Sequence, residues 1–264
     1  MTGDPLPYPE DLLLARQTLC RFLATCLVDP RVGSWSPLAS PETQAAVIEA
    51  ATLVRHQPRA MADPLARGET SLDHLRPEAI FRALPRSPDE LNALYEKTFG
   101  LLVSSSCPPY EMEYIDQKFT FQRSQTLADV AGFYRAFGLE PARQHPERQD
   151  HLALELEFLA SLLGLERYAG QQSEAVARQR GETCRLAYRR FLAEHVAWWT
   201  PTFARLLSLR SSDGFYAEVA QFLTAWTAAE RALTGVAPND GPVSPSRIEP
   251  PEVCEGCALA DAVL

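Results

Sequence analysis

The chain has 264 residues, 46% hydrophobic and 22% charged, a composition that supports a globular protein with a sizeable core. A formal net charge of −9 argues against nucleic-acid binding, which needs basic surface, and favours a basic partner. No apolar run approaches the ~20 residues of a membrane span, and the acidic start MTGDPLPYPEDLLLARQ lacks the basic n-region of a secretory signal; a cytoplasmic chain with reduced cysteines is the expectation.

Residues 9–28 predict the first helix: Leu12, Leu13, Leu19, Phe22, Leu23 and Leu27 form an apolar stripe that Asp29-Pro30 stops. A second helix is predicted from Pro41 to Gln57, with Pro41 in the first turn, where its missing N–H costs nothing. The stretch to Gly68 reads as loop. A short helix over 72–84 follows, with Pro77 able to split it. Ser87-Pro88-Asp89-Glu90 is the clearest helix start, a capping box with proline at the first position. That helix ends at Gly100, a left-handed cap. The segment LLVSSSCPPYEMEY reads as loop, and Thr126 is expected to open a helix closed by Gly138.

Residues 146–163, PERQDHLALELEFLASLL, predict a central core helix. Leu152, Leu156, Leu159 and Leu163 mark one face, and Leu154, Phe158 and Leu162 widen it. Asp150 is the expected N-cap. His151 and Glu155, four apart, can touch across one turn. They read equally well as polar groups satisfied structurally, by each other or by neighbouring backbone, or as part of a cleft mouth beside Asp150. An Arg- and Gln-rich amphipathic pattern covers 171–194, an aromatic one covers 195–209 with Pro201 able to start a fresh helix, and Asp213 is the expected cap of the last helix. With no run of alternating strands, the expected architecture is an all-α, single-domain helical bundle over residues 1–234. A flexible Pro/Gly-rich tail, 235–264, carries Cys254 and Cys257.

Catalytic signatures are missing. The sequence contains no Walker-type phosphate loop, no G-x-S-x-G elbow and no H-E-x-x-H, and five histidines do not furnish a di-iron pattern. No catalytic residue and no cofactor are expected. Cys254-x-x-Cys257 supplies half of a zinc site, either a chance pair or a site shared between two chains. In CPPYEMEY, Pro108 and Pro109 stiffen the loop, while Tyr110, Glu111, Glu113 and Tyr114 interleave rings with carboxylates. That mixture suits a peptide carrying arginine, through guanidinium–carboxylate bonds and ring stacking. A rigid turn with its tyrosines packed on the core is the other reading.

Taken in order, these motifs resemble the TorD/DmsD-type (NarJ-related) redox-enzyme maturation chaperones. LYEKTFG with CPPYEMEY, then QTLADVAGFYRAFGLEP, then DHLALELEFLASLL carry the resemblance, with EHVAWWTPTFARLL as a weaker fourth block; together they span roughly residues 90–230. The resemblance implies an all-helical protein without a cofactor of its own. It implies binding of the apo catalytic subunit of a molybdenum enzyme of the dimethyl-sulfoxide-reductase type, and of its N-terminal leader, often a twin-arginine export signal, until cofactor is inserted. It places client binding on Tyr110, Glu111, Tyr114, Asp150 and His151, with Gly100 and Pro109 shaping the loop; Glu113 and Glu155 join them from the residue reading. One departure stands out: the family commonly reads Glu-Pro-x-Asp-His at this hinge, whereas here Arg148 occupies the proline position and Pro146 lies four residues ahead of Asp150. The competing readings are a helical adaptor for a folded partner and a hydrolase or nucleotide-binding enzyme using His151. A homodimer formed by helix exchange stays open.

Overall fold

Two long helices, α1 (Glu10–Leu27) and α7 (Leu152–Gly170), pack along each other and form the spine of the molecule. In this computed structural model the described residues are 8–33, 35–100, 106–115, 120–140, 147–211, 214–242 and 244–245. They form α-helices joined by short 3₁₀ turns, with no strand among them, so the all-α expectation holds. The leucines that mark the central helix in sequence, Leu152, Leu156, Leu159, Leu162 and Leu163, are all buried in the same core cluster as α1 residues such as Leu19 and Leu23. Helix α2 (Pro41–Arg55) flanks α1, and α8 (Ala175–Phe191) flanks α7. Helix α10 (Phe215–Thr234) packs on α9 (Thr200–Ser211) and on the short α3 (Pro58–Ala62), which lies inside the stretch expected to be loop.

Local signals explain most boundaries. Ser40 caps α2 by accepting from the Thr43 N–H, with Pro41 in the first turn. Pro77 does split its segment: a 3₁₀ turn over Leu72–His74 precedes α4 (Pro77–Arg82). Helix α5 (Pro88–Phe99) begins at Ser87, whose side chain accepts from the Glu90 N–H. Glu90 reaches back to the Arg86 N–H, one residue earlier than the usual capping box. Gly100 ends α5 at φ 78°, a conformation costly for any residue with a Cβ. Helix α6 (Thr120–Ala136) starts six residues before Thr126, so Thr126 lies inside it.

Two charged clusters centre on arginines buried in the bundle, Arg16 and Arg231. The Arg16 guanidinium donates to Glu230, which also accepts from the Tyr188 hydroxyl at 2.6 Å. Arg231 spans Glu69, Asp63 and the Pro64 carbonyl. The chain past α10 does not leave the surface at once: Arg231 donates to the Val236 carbonyl, and Thr202 to that of Pro242. Asp213, Cys254 and Cys257 lie outside the described residues.

Candidate functional site

The site forms where the Cys107–Ile115 segment is laced onto the start of α7. An α-helix begins with backbone N–H groups that have no helical acceptor. Here the loop supplies one: the Leu152 N–H donates to the Pro109 carbonyl at 2.9 Å. The Glu111 N–H donates in return to the Asp150 carbonyl at 3.0 Å, giving an isolated antiparallel bridge between Tyr110 and His151. The Tyr114 hydroxyl closes the loop on the Pro108 carbonyl at 3.0 Å. The two prolines therefore present carbonyls as well as rigidity.

The N-cap of α7 is His151, not the expected Asp150. His151 Nδ1 accepts from the Ala153 N–H at 3.0 Å, which requires a neutral ring. Burial favours that form, depressing its pKa to about 4, against the opposing pull of Asp150. Asp150 is diverted because another cation claims it. Arg148 donates from Nε to Asp150 Oδ1 at 3.1 Å and from Nη2 to Oδ2 at 2.8 Å. Its Nη1 donates to Glu113 Oε1 at 2.8 Å, and the guanidinium lies 4.3 Å from the centre of the Tyr110 ring. Asp150 also accepts from the Met112 N–H at 3.1 Å, and Tyr110 donates its hydroxyl to Glu147 at 3.2 Å. Two carboxylates and one ring thus form a fork-shaped receptor for a guanidinium. The chain fills it with its own arginine.

Behind this receptor the polar groups are sealed. Glu111 is fully buried; its carboxylate meets His195 Nδ1 at 3.2 Å and accepts from the Trp198 indole N–H at 3.0 Å. Burial raises its pKa against the lowering effect of those two partners. Glu155 is also fully buried. Burial first, then the charges of Glu111 and Asp150, push its carboxyl well above the usual range, which favours the protonated form. Of the readings for His151 and Glu155, the mutual pair does not form and His151 is met by neighbouring backbone at Nδ1; His151 Nε2 and both Glu155 oxygens have no hydrogen-bond partner among the described residues. Tyr114 is buried with its ring 5.0 Å from that of Trp199.

The structure therefore gathers Tyr110, Glu111, Glu113, Asp150 and His151 along one seam, with Glu155 one turn deeper. Tyr110 and Glu113 keep partial exposure; Glu111, Tyr114, Asp150, His151 and Glu155 do not. Sequence reasoning noticed Arg148 only as a stand-in for proline and missed it as the occupant of the receptor. Glu147, Trp198 and His195 were missed as partners. An arginine two residues before Asp150 was the available sign; nothing in the spacing linked Glu111 to His195.

The family model that matches the chain covers this region. The family model for the nitrate reductase delta subunit matches residues 63–205, more than half of the chain. The chain is 28% identical over 137 residues to the chaperone protein TorD of Aliivibrio salmonicida, covering 52% of this chain and 60% of that protein. It is 34% identical over 113 residues to the selenate reductase assembly chaperone protein of Thauera selenatis, covering 43% of this chain and 55% of that one. Each alignment thus spans less than two thirds of the relative. With residues 63–205 containing the loop, the receptor and the whole of α7, the chain belongs to the nitrate reductase delta subunit family, the TorD/NarJ group resembled by its motifs.

Proposed function

We propose that this protein is a cytoplasmic assembly chaperone, not an enzyme, for the catalytic subunit of a molybdenum enzyme of the dimethyl-sulfoxide-reductase type. It binds the apo subunit and its basic N-terminal leader, and releases both once the molybdopterin cofactor is in place. Its relatives' names, a TorD chaperone and a selenate reductase assembly chaperone, support the class of client. The observation that carries the reading is the Arg148 receptor. Asp150, Glu113 and Tyr110 are arranged around a guanidinium already. A leader arginine exchanges with Arg148, whose side chain is 35% exposed and can swing outward, and an apolar leader segment follows along the loop. The chain's acidity speeds the approach of such a basic segment.

Purification of the tagged protein from its native host tests this reading. The expected companion is a large molybdopterin-type subunit lacking its cofactor, with recovery falling when the leader is deleted. Recovery of cofactor-loaded subunit to the same extent, or of no such subunit, contradicts it. Undiminished recovery of a leader-deleted subunit favours an adaptor that holds the folded body of the partner.

A further inference from the structure

The side of Glu111 facing away from Arg148 leads to a second constellation. Between α8 and α9 the chain widens into a π-turn, Leu192–Val196. Such turns add a residue to the helical repeat and recur at functional sites. This one places Glu194 and His195 beside Asp129 of α6. Ligand atoms of Asp129, Glu194 and His195 all lie within 4.8 Å of one another. They line an open cleft of about 700 Å³ together with Gln125, Thr126 and Arg190.

His195 is the informative member. Its side chain is 3% exposed, and its Nδ1 is engaged by Glu111 at 3.2 Å. Its Nε2 lies 3.4 Å from Asp129 Oδ2 without making a hydrogen bond. A buried ring nitrogen aimed at a polar cleft without a hydrogen-bond partner is costly unless something occupies the cleft. Glu111 in turn is fixed by the Trp198 indole N–H at 3.0 Å. A carboxylate on one ring nitrogen, leaving the other nitrogen's lone pair facing carboxylates, is how metal-ligating histidines are oriented. Arg190 holds Glu194 now, at 2.9 Å, but this is an exposed pair within one helical turn and of small worth. Arg190 also lies 5.2 Å from the Phe133 ring, a contact that does not depend on Glu194.

We propose that His195 Nε2, Asp129 and Glu194 form a binding site for a divalent first-row metal ion such as Zn²⁺. One imidazole and two carboxylates are a suitable nitrogen and oxygen donor set, with water completing the coordination. The bound ion ties α6 to the π-turn and fixes the ring that holds Glu111. Metal occupancy thereby stiffens the floor of the Arg148 receptor.

The test uses the full chain with Cys254 and Cys257 both changed to serine, so that the tail cannot supply ligands. After dialysis against chelator, Zn²⁺ titration by calorimetry is expected to show saturable binding near one ion per chain. Co²⁺ is expected to give visible ligand-field bands without a thiolate charge-transfer band. Asp129→Asn with Glu194→Gln is expected to weaken Zn²⁺ binding at least tenfold. Those side chains are 48% and 45% exposed, so folding is not at stake, and an unchanged circular dichroism spectrum verifies it. No saturable binding in the serine variant, or equal affinity after the double substitution, overturns the proposal.

Discussion

Arg148 holds Asp150 in a bidentate grip although the carboxylate has no solvent exposure and a third of the arginine side chain reaches water. Removing Arg148 strands a buried charge. Breaking a fully buried pair costs ~3–5 kcal/mol, and the partial exposure of Arg148 lowers this to about 2 kcal/mol. Urea denaturation at pH 7 should therefore find Arg148→Ala destabilised by about that much. Adding Asp150→Asn should restore part of the loss. A cost below ~0.5 kcal/mol, the level of an ordinary surface substitution, would show that Asp150 is satisfied without its arginine.

His151 gives a pH signature. Its pKa is about 4 in the folded protein, below the ordinary value of 6.5, so the folded state binds fewer protons between those limits. The stability it confers is complete above pH ~6.5 and lost as pH falls towards ~4, a change of about 3 kcal/mol. His151→Asn keeps a capping acceptor without a titrating ring. The stability difference between wild type and variant should shift in the variant's favour by roughly that amount between pH 7 and pH 4. A constant difference would mean that the ring is not held neutral.

Glu155 acts with the opposite sign. Its carboxyl is raised by burial, so the folded state retains a proton that the unfolded chain releases above its ordinary range. This destabilises the fold progressively as pH rises from there, by at most ~1.4 kcal/mol per pH unit for one proton. Glu155→Gln removes the penalty while preserving shape. Paired urea melts should find the variant more stable than wild type at pH 8, with the advantage shrinking towards pH 5. An equal loss at both values would show that the carboxyl is needed as such.

The Arg16–Glu230–Tyr188 cluster is structural. All three side chains are buried, and Glu230 accepts from both partners. Glu230→Ala leaves Arg16 charged and unpaired inside the bundle, with an expected cost of ~3–5 kcal/mol. Tyr188→Phe removes one hydrogen bond to a charged group, at about 1.5–3 kcal/mol. Neither should alter client binding once the protein is folded. A selective loss of binding in a stable Tyr188→Phe protein would place this cluster in the site.

Helix identity was legible wherever apolar spacing coincided with a cap. Ser87-Pro88, Pro41 and the leucine face of α7 each declared a boundary or a buried side through local chemistry. The start of α6 was not legible, because its first turns, TFQRSQ, are mostly polar and carry no apolar period. The cap of α7 was misplaced by one residue for a different reason. Asp150 is the better capping side chain in isolation, but Arg148 competes for it through a contact that also recruits Glu113, 35 residues away. The resemblance grouped Tyr110, Glu111 and Tyr114 with Asp150 and His151, and the backbone bridge between Tyr110 and His151 brings them together. Packing of Tyr114 on the core is the rigid-turn reading, but the burial of Glu111 was not legible, because it depends on Trp198 and His195 packing behind the loop from distant sequence.

The most direct test of the central claim is calorimetry with the leader peptide of the co-purifying subunit, against wild type and Arg148→Ala at matched folded fraction. If a leader arginine takes the place of Arg148, the variant binds the peptide at least as tightly as wild type, and replacing the leader arginines with glutamine abolishes binding to both. Weaker binding by the folded variant, or equal affinity for the arginine and glutamine peptides, contradicts the account.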